Sequence, residues 1–183
     1  SIGLFDRYAT PDSVAEDARG LGVNPHFLVT FRDATKTMIE MACISNYTGL
    51  VPDIRGMHGP IAGVNEIPEL FRPKSEGGLL NRRGVVDYAR PLKHPDGSID
   101  FDRSVTPGVF LCVYTDHPQV REDLKYLDVT GSDGYYNMYT PYHLVTNEIP
   151  LSIVNAVEFA HPTIVPKLGL VTEVFGAAKR PLK

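Results

Sequence analysis

The sequence predicts an α+β domain, a mixed β-sheet with helices packed on it. Three observations carry that expectation. A β-prone run at residues 108–115, a helical stretch at 118–127 and a β-type segment at 135–139 follow one another as a β-α-β unit that could join a sheet with earlier strands. Helix-start chemistry stands at Thr10 and again at Asp33. The composition, 43% hydrophobic and 22% charged over 183 residues, supports one domain with its own core and excludes a disordered chain.

Taken in order, Thr10-Pro11-Asp12-Ser13 opens a helix. Thr10 serves as N-cap, Pro11 suits the first turn, and Asp12 faces the positive end of the dipole. Gly20 and Gly22 end that helix. Asn24-Pro25 then leads into a short apolar strand over residues 26–31. Asp33 caps a second helix that runs to about Tyr47 and closes at Gly49, with Met38, Met41, Ala42 and Ser45 on its apolar side. Residues 50–63 are irregular, and Pro68 lies in the first turn of a short helix over 67–71. Residues 77–89 suggest two strands about a turn near Asn81 to Gly84. Residues 93–106, with Pro95-Asp96-Gly97-Ser98, form an exposed loop or hairpin tip. Beyond the β-α-β unit, Pro150 at a first helical position begins a helix to about Ala160, and residues 163–178 alternate like a terminal strand.

Several function classes are excluded or disfavoured. The net charge of −4 gives no electrostatic reason to expect nucleic acid or an anionic membrane as partner. The longest apolar run, near residues 109–114, is far shorter than the roughly 20 residues needed to cross a bilayer, and no signal peptide is visible. Cys43 and Cys112 are not a disulfide framework and read as buried small hydrophobes, which fits a cytoplasmic, reducing compartment. Neither G-x-G-x-x-G nor a P-loop occurs, so no dinucleotide is expected to bind these residues tightly. The opening Ser1-Ile2-Gly3-Leu4 and the closing 178–183 both read as cuts inside a longer polypeptide, with methionine removal a rival explanation for the first.

The strongest chemical lead is Asp33, Lys36 and Glu40, three and four residues apart and so on one face of a helix start. Lys36 would donate a proton or hydrogen bond to a carbonyl oxygen that becomes an alkoxide during hydride transfer, and Asp33 would orient it or bind a substrate hydroxyl. The plain alternative is an N-cap at Asp33 and a surface ion pair from Lys36 to Glu40. Of the six histidines, His58 in a glycine-rich loop and His143 near a strand end attract interest as substrate contacts. Arg82 and Arg83 form a cationic tip suited to a phosphate. No metal site is expected, because no histidines stand at ligand spacing.

The runs 24–26 and 31–41 (Phe-Arg-Asp-Ala-Thr-Lys-Thr-Met-Ile-Glu-Met), then 45–60 with Pro52-Asp53-Ile54-Arg55-Gly56-Met57-His58-Gly59-Pro60, resemble the central domain of homoserine-dehydrogenase-like oxidoreductases that carry a C-terminal SAF domain. Residues 77–80, 84–88, 107–110, 141–144 and 149 onward continue the resemblance over nearly the whole chain. Some relatives are deoxyxylulose-phosphate-reductoisomerase-like. The resemblance implies an NAD(P)-dependent enzyme with an N-terminal Rossmann domain, absent here. Residues 1–177 would be the central catalytic and oligomerisation domain, and 178–183 the start of a SAF domain. It also implies Lys36 and Asp33 as catalytic residues, although the spacing from aspartate to lysine is one residue shorter than in true homoserine dehydrogenases. Glu40, Asn46, His58, His143 and Arg82 would line a pocket for a small polar hydroxy or keto substrate, phosphorylated or not. A homo-oligomer using NAD(P)H in its full-length form is expected; the alternative is a non-catalytic assembly or small-ligand-binding module.

Overall fold

A computed structural model describes residues 6–142 and 145–165, omitting the side chains of 145–147. They form two compact units, one reaching Leu50 and the other spanning Val51–Val165. The fold is α+β, with parallel and antiparallel strand pairs both present.

The first unit is helical. Thr10 and Ser13 exchange hydrogen bonds, the Thr10 N–H donating to Ser13 Oγ (2.9 Å) and the Ser13 N–H to Thr10 Oγ1 (3.2 Å). That reciprocal turn occupies the stretch expected to be helix, so α1 (Ala15–Leu21) begins several residues later and ends at the left-handed Gly22. Residues 26–31 are not a strand but part of α2 (Pro25–Arg32). The Asn24 side chain accepts the His26 N–H (2.8 Å), and Pro25 takes the first helical position, so the Asn-Pro pair starts a helix. Six residues, four of them apolar, are too few to separate the two periodicities, whereas the edge-on contact of Phe27 and Phe31, one turn apart with centroids 4.9 Å apart, belongs to a helix. Ala9, Val14, Ala18 and Leu28 form the core of this unit. Leu28 alone, almost fully buried, contributes about 2 kcal/mol of hydrophobic free energy. Helix α3 (Thr35–Thr48) closes at Gly49 as expected. Ser45 is buried and donates to the Leu50 carbonyl (2.5 Å). Cys43, on the opposite side of α3, is exposed rather than buried.

The second unit holds two small sheets. β1 (Val51–Pro52) and β2 (Val85–Val86) pair in parallel. The hairpin expected over 77–89 does not form: Leu80 bridges Pro73, and Asn81 and Arg83 bond to distant side chains instead. The short helix α4 (Ile67–Leu70) carries Pro68 in its first turn. His94 and Ser98 close the expected hairpin tip. β3 (Val109–Tyr114), α5 (Pro118–Tyr126), β4 (Gly131–Ser132) and β5 (Tyr135–Thr140) then build a separate sheet in the order β3-β5-β4. Both pairings are antiparallel, so β3 and β4 run parallel with β5 inserted between them. The two strands of the expected β-α-β unit, β3 and β5, are therefore direct antiparallel neighbours; it is β3-α5-β4 that forms a split β-α-β, and the sheet does not continue into β1 and β2. Asp133 and Gly134, both at positive φ, make the two-residue turn between β4 and β5.

The core of this unit is Ala62, Ile67, Phe71, Leu80 and Val105, and Phe110, Cys112 and Tyr139 of the sheet pack against it. On the opposite sheet face Val109, Leu111 and Met138 are half exposed. Helix α6 (Val145–Glu158) starts before Pro150, which lies inside it, and it leaves Ile149, Leu151, Ile153, Val154 and Val157 exposed. Residues 163–165 form no strand, and the rest of the expected terminal strand lies outside the described residues. No helix among the described residues is long and apolar enough to cross a membrane.

Candidate functional site

In the helical unit, the chain reverses between α2 and α3 through Ala34, a non-glycine residue in the left-handed region (φ 67°). The Asp33 carboxylate spans that reversal, its Oδ1 accepting the Thr35 N–H (2.9 Å). It thereby holds one of the otherwise unpaired donors at the start of α3. Lys36 follows in the first turn. Its Nζ lies 3.2 Å from Glu40 Oε1, one turn further on, and 4.6 Å from the centroid of the Phe31 ring. The ammonium is thus held between a carboxylate and an aromatic face, while its side chain stays 33% exposed. A cation so placed can meet a polar ligand without leaving its partners. Asn46 sits ten residues beyond Lys36 on α3, about 15 Å along the axis, so the helix does not bring these two together.

In the second unit His58 occupies a more enclosed setting. Asp53 follows β1 and Asp87 follows β2, and the register Pro52↔Val86 sets the two aspartates side by side at the carboxyl ends of parallel strands. Their side chains are 1% and 2% exposed. Between them stands the His58 imidazole, 15% exposed, with Nδ1 2.7 Å from Asp87 Oδ2 and Nε2 3.5 Å from Asp53 Oδ2. Asp87 also accepts the backbone N–H groups of His58, Gly59 and Tyr88 at 2.8–3.1 Å. Asp53 accepts the Asn81 N–H (2.7 Å). The loop delivering His58 passes through three left-handed residues, Gly56, Met57 and Gly59. Met57 is buried and has a side chain, so this conformation costs about 1–3 kcal/mol. At Gly59 even a Cβ would fall 2.3 Å from the Tyr88 ring. The sequence singled out His58 but neither aspartate. The signal was an Asp directly after each short β-branched or proline-bounded pair, Val51-Pro52 and Val85-Val86.

Arg82 is exposed, and its neighbour Arg83 is the one built into the structure. The Arg83 guanidinium forms a double hydrogen bond to Glu76 (2.8 and 2.9 Å), donates Nε–H to the Tyr135 hydroxyl (2.7 Å) and lies 3.8 Å from the Tyr114 ring centroid. Tyr135 in turn donates to Glu76 (2.8 Å), and that bond together with Arg83 lowers the Glu76 carboxyl below its ordinary range. Burial pushes the Tyr135 hydroxyl up, and it pushes the Cys112 thiol up to about 11, which keeps that thiol protonated and inert. His143 lies outside the described residues.

Residues 4–149 match a protein-family model described as the catalytic domain of oxidoreductase DRL. No curated protein matches the chain.

Proposed function

This chain belongs to the family of the oxidoreductase DRL catalytic domain, and from that premise we propose that it is the substrate side of an NAD(P)-dependent, homoserine-dehydrogenase-like enzyme. Its substrate is a small polar hydroxy or keto compound, phosphorylated or not. The resemblance to SAF-domain and reductoisomerase-like relatives supports a longer polypeptide whose other domains include a dinucleotide-binding one. The residues described here do not themselves fit a dinucleotide's pyrophosphate. The parallel strands β1 and β2 end in the carboxylates of Asp53 and Asp87, which repel phosphate, where a glycine-rich turn into a helix would be needed. When bound, the nicotinamide supplies or accepts the hydride.

The observation that carries this reading is Lys36, a partly exposed cation in the first turn of α3. Its ammonium hydrogen-bonds the substrate oxygen and stabilises the negative charge that grows there as the carbonyl is reduced. Asp33 fixes the start of the helix that bears it, and Glu40 keeps the ammonium on the ligand-facing side of that turn. In a full-length protein, Lys36→Ala is expected to lower kcat for NAD(P)H oxidation by about 100-fold or more against a panel of sugar phosphates and hydroxy acids. Undiminished activity in that variant would remove Lys36 from the mechanism.

Self-association is part of the same proposal. The half-exposed Val109, Leu111 and Met138 on the outer face of β3 and β5 support it, since apolar patches of this kind mark association surfaces.

A further inference from the structure

We propose that Glu40 is a specificity-determining residue of the Lys36 site. It admits a substrate whose group next to the reacting carbon is uncharged and donates a hydrogen bond, and it rejects one that carries a carboxylate there. The inference rests on the reading of Lys36 as the cation that meets the substrate oxygen, and it stays within the helical unit.

The start of a helix that bears a lysine is by default attractive to anions. It offers unpaired backbone N–H groups, the positive end of the helix dipole and a full positive charge. In this chain each of those attractions is already met by one of its own carboxylates. Asp33 Oδ1 accepts the Thr35 N–H (2.9 Å) at the start of α3. Glu40 Oε1 stands 3.2 Å from Lys36 Nζ. The neighbouring cation on α2, Arg32, is engaged as well, its Nη2 lying 2.6 Å from Asp17 Oδ2. One ammonium with two carboxylates leaves the opening of α3 net negative. A ligand carboxylate drawn to Lys36 comes within about 4–6 Å of Glu40, where repulsion between like charges offsets what the ammonium contributes.

The surroundings of the ammonium narrow the choice further. The Phe31 ring, its centroid 4.6 Å from Nζ, bounds the ammonium with an aromatic face. Phe27 packs edge-on against that ring and holds it. Lys36 and Glu40 remain 33% and 45% exposed, so a ligand can approach the pair as a unit, a cation with three donor hydrogens beside an acceptor. A carbonyl flanked by an O–H or N–H group answers both, its oxygen accepting from Lys36 and its neighbour donating to Glu40. A carbonyl flanked by a carboxylate answers only the first and sets two negative groups together. The rejection concerns the position next to the reacting carbon, and a phosphate further along the substrate is not opposed by Glu40. A surface ion pair that only steadied α3 would leave the charge preference of the site independent of Glu40, and that difference is measurable.

Pyruvate and pyruvamide are matched probes, alike in skeleton and differing in a carboxylate against a carboxamide. This chain, labelled with ¹³C at the lysine ε carbon, is titrated with each by NMR at low ionic strength. The Lys36 signal, assigned by its loss in Lys36→Ala, reports the two dissociation constants. Pyruvamide is expected to bind the more tightly. Glu40→Gln keeps the shape and removes the charge, and it is expected to raise the affinity for pyruvate relative to pyruvamide by about 10-fold, a change that shrinks as salt is added. Glu40→Asp keeps the charge and is expected to keep the wild-type preference. Tighter binding of pyruvate by the wild-type chain, or an affinity ratio that Glu40→Gln leaves unchanged, overturns the proposal while Lys36 stands as a ligand contact. A Lys36 signal that responds to neither probe removes the contact itself, and the proposal with it.

Discussion

Glu76 accepts from Arg83 and from the Tyr135 hydroxyl, and these bonds hold its carboxyl below the value of 4.5 that it has in an unfolded chain. A depressed carboxyl contributes stability that is fully present above 4.5 and is lost as pH falls through the lowered folded value, because the unfolded chain then binds the proton first. Urea midpoints followed downward from about pH 6 are therefore expected to decline on the acid side of that value. In Glu76→Gln the decline becomes shallower; it does not vanish, since Arg103 lowers Asp100 in the same way. An identical acid slope in the variant would show that Glu76 is not coupled to folding. Residue chemistry was only partly legible. Lys36 and His58 stand out in sequence as a charge at a helix start and a histidine among glycines. Asp53 and Asp87, 34 positions apart, become partners of His58 only through the pairing of two two-residue strands, and no local pattern announces a pairing that short. Of the adjacent arginines, both exposed, the one that is tied down is chosen by Glu76, seven residues earlier, and by Tyr135, distant in sequence.

At the scale of elements, caps decided what hydrophobicity left open. The apolar run 26–31 suits either a buried strand or one side of a helix, and the Asn24 side chain settles it by taking the His26 N–H. Asn24→Ala is expected to destabilise the protein by about 1 kcal/mol in chemical denaturation, with helical circular dichroism falling at lower denaturant; no change in midpoint would mean that Pro25 alone starts α2. The segments β3, α5 and β5 were legible because each is long enough for its own period to show. Their arrangement was not, because the Asp133-Gly134 turn after the short β4 folds β5 back between β3 and β4, so that β5 runs antiparallel to β3. For α6, Pro150 marked a helix but not its start, since the chain enters the helix at Val145 and accepts one missing N–H.

For the whole molecule, the α+β class follows from composition and period, and membership of an oxidoreductase family, at that coarse level, from motifs spread over most of the chain. The proposed self-association depends on which sheet face stays uncovered, which the alternation in β3 hints at and only the packing of Phe110 and Cys112 on the core defines. Leu111→Lys is expected to shift light scattering toward the monomer while leaving the far-ultraviolet spectrum intact, because Leu111 is half exposed and opposite Met138; an unchanged mass would put the interface elsewhere. The redox claim itself is tested most directly by label transfer. A full-length protein is given reduced NAD(P)H deuterated at C4 of the dihydronicotinamide, on either face in turn, and a panel of keto sugar phosphates and keto acids, and the product is read by mass spectrometry. One deuterium on the new carbinol carbon, with transfer slowed about 100-fold or more in Lys36→Ala, is the predicted result. Absence of transfer to any panel member, or transfer by Lys36→Ala at the wild-type rate, would contradict the account.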